Sequence, residues 1–464
     1  SLLNADSPFI ALHHEVMNWL QARRQSTVFD DSHLQVMFSQ CKKLVERLQK
    51  RGAVVGSSLN TAYLLERLSQ TLERLETLMA IFVSNRYLPR RILLLTGCFA
   101  RAAAERHSIS RLWKQSSGLM ARSVTQNAGD HGEHYITRDK KEYWAMFYSA
   151  AGGGVLIALM ALFKTYLGSI IDDKVWKGIA EGLNYGLGFM VIFMLHFTVA
   201  TKQPAMTAAR FAEAVEKTPQ GKTVNMKLAQ LLVDVFRSQS IAVLGNVLIA
   251  MGLAALIAFG YQYKTGEPLM NADQIAYQLH SIDPFAGTLW FAAIAGVWLF
   301  CSGIISGYFD NRSNYLNMRM RLAQHPLLKK LMSEKSRVKF ANYMHENYGS
   351  LIGNFCFGML LGLTGLVGYL THLPLDIRHV AFSSANLGYS AVSGQFAYPF
   401  FLQCIAFVLL IGLVNLIVSF SLTLWVALRS LNTEIDSWWA IWHEVCQIVK
   451  KRPLSLFFPV QLDK

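Results

Sequence analysis

Six long apolar stretches are the feature of this sequence that most constrains how it can fold. Each is free of lysine and arginine and is long enough to cross a bilayer core about 30 Å thick as a helix of about 20 residues. They lack the period-two alternation of membrane strands, so helices are the predicted spanning elements. The hydrophobic share of 52 % and the charged share of 16 % also fit a polytopic membrane protein. The stretches are residues 143–163, 178–200, 241–261, 285–309, 348–371 and 397–428.

The cationic residues are sorted unevenly between the connections that join these stretches. If connections alternate sides, one side receives five of the 44 Lys and Arg residues and the other receives the remaining 39. Because positive charge is retained in the cytosol, the cation-rich side is predicted to be cytosolic, together with both termini. The predicted location is the bacterial inner (cytoplasmic) membrane. The five cations of the cation-poor side are Lys164, Lys174, Lys177, Lys264 and Arg378.

The net charge of +14 has two readings. One interpretation is nucleic-acid binding. The other is that positive charge beside spanning helices sets the topology and attracts anionic lipids, and the uneven distribution of cations between the connections favours this second interpretation. The six cysteines form no CxxC pair, so neither a disulfide framework nor a zinc ribbon is indicated. No cleavable signal is predicted at Ser1, and because an initiating methionine is missing, we expect the sequence to begin inside a longer product.

The sequence predicts an all-α protein in successive parts. Helical periodicity dominates the region before the first stretch, and two basic connections of about 40 residues separate outward hairpins. After the last stretch, Leu431, Ile435, Trp438, Trp442 and Val445 share one helical face, which predicts an interfacial helix or one packed on the soluble domain. The parts are a helical cytosolic domain (1–121), a polar linker (122–142), a six-helix transmembrane domain (143–428) with basic loops 201–240 and 310–347, and a C-terminal amphipathic helix and tail (429–464).

Polar residues at the cytosolic ends of the stretches form the first candidate site. An ionisable residue at membrane depth is costly, so His196 is a candidate that faces the bundle interior, with Lys202 flanking the same inner mouth. The alternative is structural: Lys202 extends to the headgroups and His196 bonds a neighbouring helix. The candidate ligand-binding residues are His196, Thr198, Thr201, Lys202, Gln203, Asn246, Asp310, Asn311, Arg312 and Asn354.

The connection between the fifth and sixth stretches forms a second candidate group. Asp376 and Arg378 are separated by one residue, which predicts a local ion pair. The alternative is an ordered loop that re-enters the headgroup layer, where its polar backbone must be buried in protein. The candidates are Asp376, Arg378, His379, Ser383, Ser384 and Asn386.

Searches for catalytic and metal-binding motifs give no candidate. Asp130, His131, Glu133 and His134 carry metal-ligand atoms at short spacing but have no distant partner of the kind a zinc site uses. Neither HExxH nor GxSxG occurs, and Glu216 stands where a P-loop ending in Gly221 requires glycine. No catalytic residue, cofactor or metal is therefore predicted, and the chain is not expected to be an enzyme.

Three segments carry a resemblance to a known family. They are GEHYIT at 132–137, HFTVATKQPAMT at 196–207 and LPLDIRHVAFSSAN at 373–386. The chain resembles the bacterial, gonococcal recombinase-like family labelled site-specific recombinase. The label implies DNA strand exchange, but none of the 13 histidines is followed by arginine three residues later, as the HxxR pair of tyrosine recombinases requires. The segments also lie in or beside predicted spans, where a duplex cannot enter.

Three functions are weighed on this basis. The favoured one is an inner-membrane protein that binds or moves an amphiphile or lipid through its cationic inner mouth. The second is a membrane-tethered scaffold whose N-terminal helices recruit a cytosolic protein. The third is DNA recombination, as the label implies. Membrane lipids are the expected partners, nucleic acid is not expected, and an oligomer is left open.

Overall fold

A computed structural model describes most of the chain, and its described residues are helical without a strand. These residues are 7–25, 32–55, 59–83, 88–105, 136–137, 139–199, 208, 211, 214–215, 222–430, 435 and 437–459. The chain divides into two compact units, Ser1–Ser123 and Val124–Lys464. The all-α prediction is confirmed for the described residues.

Four helices are described in the first unit. Ser7 caps the first of them by accepting a hydrogen bond from the Phe9 N–H, and Pro8 occupies the first turn, where its missing N–H costs nothing. The core of the unit is formed by Leu12, Leu34, Phe38, Cys41, Val45 and Leu72. The helices are α1 (Pro8–Arg24), α2 (Ser32–Val55), α3 (Leu59–Val83) and α4 (Leu88–Glu105).

The described helices of the second unit include long apolar helices and shorter, more polar ones. They are α5 (Lys140–Ile170), α6 (Lys174–Met194), α7 (Lys222–Thr265), α8 (Ala272–Ile282), α9 (Thr288–Tyr315), α10 (Met318–Gln324), α11 (Pro326–Leu331), α12 (Glu334–Thr371), α13 (Val380–Ser393), α14 (Tyr398–Ser430) and α15 (Trp438–Lys451), with short 3-10 turns at Pro284–Ala286 and Pro453–Leu456. Among the described residues, five helices are long and apolar enough to span a membrane: α5, α7, α9, α12 and α14.

The second apolar stretch, predicted over 178–200, forms the shorter helix α6. Asp173 caps its start by accepting hydrogen bonds from the N–H groups of Val175 and Trp176. The helix ends at Met194, and His196 has the left-handed φ of 58°, so the chain leaves the helix before the end of the stretch. Glycines let α6 lie directly against α12, because Gly182 and Gly186 face Gly362 and Gly358 across the contact.

Helix α13 lies inside the bundle. It belongs to the connection between α12 and α14, yet most of its residues are buried. The Tyr389 hydroxyl donates a hydrogen bond to the Ala158 carbonyl of α5 at 3.0 Å, and Gly388 approaches the backbone of α7 at Met251. This connection therefore folds back between the spanning helices instead of covering their ends.

The final helix packs against the ends of α7 and α14. Ile441 and Val445 of α15 join the buried cluster of Leu228, Ala229 and Leu424. Trp438 and Trp442, placed by sequence on the same face as Val445, are about half exposed at 49 % and 58 %. The predicted single apolar face of α15 is thus divided into a buried part and an exposed part. The buried part packs against the C-terminal end of α14.

Candidate functional site

The three connections on the cation-poor side meet at one cavity. Its volume is about 670 Å³, within the range of small-molecule pockets. Helices α5, α6 and α12 supply its walls, α8 supplies one edge, and the segment before α13 supplies its floor. The lining residues are Lys164, Lys174, Lys177, Gly178, Glu181, Tyr185, Tyr277, Gln278, Ser281, Gly362, Gly365, Leu366, Tyr369, Leu375, Asp376, Ile377, Arg378, His379, Phe382, Ser383 and Asn386.

An ion pair crosses one wall of the cavity between α5 and α6. The Lys164 Nζ lies 3.3 Å from the Glu181 Oε2, and their side chains are 38 % and 14 % exposed. The same ammonium lies 5.6 Å from the ring centroid of the buried Tyr185. Glu181 therefore compensates the charge of Lys164 within the wall.

A second ion pair lies at the floor. The Arg378 Nη1 lies 2.6 Å from the Asp376 Oδ2, which confirms the predicted local pair. The Arg378 Nε also donates to the Ser281 carbonyl at 2.9 Å, and the guanidinium lies 5.4 Å from the Phe291 ring centroid. These contacts fix the guanidinium from several sides, as its planar fork permits.

Two lysines of the first turn of α6 complete the positive lining. Within the described part of the chain, neither Lys174 nor Lys177 forms an ion pair with a carboxylate. The Lys174 Nζ lies 4.2 Å from the ring centroid of Tyr369, an attractive cation–π contact. Their position at a helix N-terminus adds the positive end of the helix dipole to their own charge.

His379 forms the deepest polar part of the floor. It is 1 % exposed and lies in the connection between α12 and α14, outside either spanning helix. The rings of Phe189 and Phe357 pack against it, with centroid distances of 6.2 and 5.8 Å. Burial lowers the pKa of the imidazole to about 3, so the ring is neutral near pH 7. The positive charge of the cavity therefore comes from lysine and arginine.

The outer-loop candidates are largely brought together by the fold. Asp376, Arg378, His379, Ser383 and Asn386 all line the cavity. Ser384, the sixth, is buried and donates to the carbonyl of Ala381 in its own helix, 2.8 Å away.

The inner-mouth candidates near α6 occupy structural positions. His196 is exposed instead of facing the bundle interior, because the helix has already ended. The Thr198 hydroxyl bonds that of Ser149 at 3.0 Å, and the Asn246 amide donates to the carbonyls of Thr198 and Ala150 at 2.9 and 2.5 Å. These contacts join α5 and α7 to the segment after α6. Thr201, Lys202 and Gln203 lie outside the described residues.

The remaining inner candidates contact α12 or their own helix. The Asp310 Oδ1 accepts a hydrogen bond from the Gly349 N–H at 2.9 Å, which joins α9 to α12. Arg312 is exposed and reaches the Tyr308 hydroxyl one turn earlier, whereas Asn311 is partly buried. Asn354 is buried and donates to the Ser350 carbonyl of its own helix at 2.8 Å.

Sequence reasoning used several cavity residues only to orient the chain. Lys164, Lys174 and Lys177 counted as cations of the cation-poor side, and Glu181 was not among the candidate residues. The signal that could have found them is their rarity, because cations on the translocated side oppose the preferred orientation.

Within the described residues no cluster of three or more metal-ligand side chains occurs. Asp130, His131, Glu133 and His134 lie outside those residues.

The fold and the cavity define a class: within the part of the chain that the structure describes, the protein is all-α, with five helices long and apolar enough to cross a membrane and a polar cavity among their connections. The family model described as "Site-specific recombinase" matches residues 1–459, and the chain belongs to that family. Neither a search of curated proteins nor a search of solved structures gave a match.

Proposed function

We propose that this is a polytopic inner-membrane protein with six spanning helices and cytosolic termini, which binds an amphiphile by its anionic headgroup in the cavity. The supporting observation is the position of the cations. Of the five Lys and Arg residues on the cation-poor side, four line this one cavity: Lys164, Lys174, Lys177 and Arg378. Cations on the side opposite the cytosol oppose the preferred orientation of the protein, so a ligand explains their presence better than topology does.

The length and packing of α6 support its assignment as the sixth span. Its 21 residues extend about 31 Å at 1.5 Å per residue, close to the bilayer core. Its close glycine contact with α12 places it beside a helix that meets the criteria for a span. Six spans in turn put both termini on the same side.

An anionic headgroup fits the chemistry of the cavity. Ammonium and guanidinium groups bind phosphate oxygens through charge-assisted hydrogen bonds, and Ser383 and Asn386 offer neutral polar groups beside them. Leu366, Ile377 and Phe382 line the same space and suit the hydrocarbon next to a headgroup. The proposed site therefore lies on the opposite side of the membrane from the inner mouth that the sequence favoured.

The family description favours another function, DNA strand exchange. We do not favour strand exchange, because the HxxR pair that tyrosine recombinases require does not occur in the sequence. Strand exchange at defined sites by the purified protein, lost on substitution of a single tyrosine or serine, would support recombination instead. A scaffold role for the N-terminal helices predicts that deleting residues 1–121 abolishes function while the spans remain inserted.

Lipid binding by purified protein tests the proposal. The full chain would be reconstituted in phosphatidylcholine nanodiscs and titrated with a fluorescent short-chain phosphatidylglycerol. Each lysine near an anionic headgroup contributes about 1 kcal/mol, so the double variant Lys174→Gln/Lys177→Gln, which removes every lysine contact of this site with the headgroup, should bind at least roughly fivefold more weakly.

Lys264→Gln is the matched control, since Lys264 is the fifth cation of the same side and is exposed outside the cavity lining. It should bind as the wild type does. Absence of saturable binding by the wild type, or equal binding by the double variant, would contradict the proposal.

A further inference from the structure

We infer that the group bound in the cavity is a phosphate monoester, which carries two negative charges, and that it belongs to a lipid. This inference rests on the proposed function and specifies its substrate class. It follows from the charges of the cavity, from the positions of its two uncompensated lysines and from its apolar wall.

The charges of the lining do not cancel. Four cations line the cavity against two carboxylates, Glu181 and Asp376. Each carboxylate is already paired, with Lys164 and with Arg378, inside the protein. Two positive charges are left over, and a ligand with two negative charges matches them.

The two uncompensated charges line the same cavity. Lys174 and Lys177 are three residues apart on α6, so their side chains leave the same face of the helix. Lys174 is held over the Tyr369 ring, while the Lys177 ammonium lies beside Gly168 at the end of α5. A phosphate monoester presents three terminal oxygens, enough to accept from both ammonium groups and from a neutral donor.

A phosphodiester fits less well because it carries one charge and has two free oxygens. Bound in the same place, it would leave one lysine uncompensated. The apolar residues Leu366, Ile377 and Phe382 favour a phosphate attached to hydrocarbon over inorganic phosphate, which would leave that wall against water.

The test compares headgroups on the intact protein. The full chain in phosphatidylcholine nanodiscs would be titrated with short-chain phosphatidic acid, a monoester, with phosphatidylglycerol of the same chain length, a diester, and with inorganic phosphate. The monoester should bind roughly fivefold more tightly than the diester, the contribution of one further lysine contact, and inorganic phosphate should compete weakly.

The variants separate this preference from general lipid affinity. Lys174→Gln and Lys177→Gln, each alone, should reduce the monoester preference to near unity, whereas Lys264→Gln should retain it. Thermal unfolding in detergent would verify that each variant is folded.

Equal affinity for monoester and diester would overturn the inference while leaving the proposed function intact. Absence of binding by both lipids would overturn both. Inorganic phosphate binding as tightly as the monoester lipid would overturn the assignment to a lipid.

Discussion

Asn415 of α14 accepts a hydrogen bond from the backbone N–H of Val380, with the nitrogen and the amide oxygen 3.2 Å apart. The same amide donates to the carbonyls of Ala292 and Arg378 at 2.7 and 3.0 Å. One buried side chain thus connects two spanning helices to the floor of the cavity at the start of α13. Its three contacts satisfy backbone groups that would otherwise lie unpaired in an apolar environment.

Replacing Asn415 with leucine should destabilise the protein and loosen the cavity floor. The change leaves the buried Val380 N–H unsatisfied, at a cost of about 1–3 kcal/mol. The expected result is a lower unfolding temperature in detergent together with weaker lipid binding. Gln403→Leu is the control, because Gln403 is an exposed amide of the same helix and its loss should leave both quantities unchanged.

Replacing Gly358 with alanine should separate α6 from α12. A methyl group there would overlap the backbone of Tyr185 and Gly186, which cannot move as a flexible side chain can. Overpacking of this kind costs about 1–3 kcal/mol, measured as a fall in unfolding temperature. Gly252→Ala, at a position of α7 with open space around it, should be neutral; equal losses in both variants would refute the close approach.

Replacing Arg237 with methionine should release the C-terminal segment from α7. Arg237 is 4 % exposed, lies 2.9 Å from the Asp234 Oδ1 and donates to the carbonyls of Thr137 and Ser455. Removing it also removes the hydrogen bond to the Ser455 carbonyl, so trypsin should cleave faster after Lys450 and Lys451. Arg319→Met, an exposed arginine on α10, serves as control and should keep the wild-type cleavage rate.

The exposed tryptophans of α15 should contact the cytosolic leaflet, which is one of the two alternatives that the sequence left open for this helix. Trp439 is 78 % exposed, and tryptophan is enriched at membrane interfaces. A spin label at Trp439→Cys should show oxygen accessibility typical of lipid, whereas one at exposed Lys330→Cys should show the aqueous pattern. Aqueous accessibility at both positions would exclude this contact.

The apolar stretches predicted the five described helices that are long and apolar enough to span a membrane, because a helix of that length leaves a continuous apolar pattern in the sequence. They did not predict where α6 ends, since His196 turns the chain through a left-handed conformation within a stretch that has no lysine or arginine to mark an end. The segment that forms α13 was predicted as part of a connection, with an ordered loop that re-enters the headgroup layer as the alternative, and not as a helix. Its sequence VAFSSANLGYSAVS is short and rich in small residues, and its burial depends on neighbours distant in the sequence.

Only part of the candidate site could be predicted, because most of its residues are distant from one another in the sequence. Asp376 and Arg378 are neighbours in sequence, so their ion pair was visible there. Lys164 and Glu181 meet only because α5 and α6 lie side by side, and Tyr277 joins them from another connection. Contacts of this kind require the fold, and a single sequence carries only the weak signal of cations on the cation-poor side.

The side of the membrane on which the cavity opens is the central claim, and thiol labelling tests it most directly. In a chain lacking its six cysteines, Lys177→Cys at the cavity and Lys264→Cys beside it would be compared with Lys330→Cys on the cation-rich side. A membrane-impermeant maleimide applied to intact spheroplasts should label positions 177 and 264 and spare position 330 until the cells are lysed. Labelling of position 330 alone would contradict the orientation and, with it, the cavity as a site facing away from the cytosol.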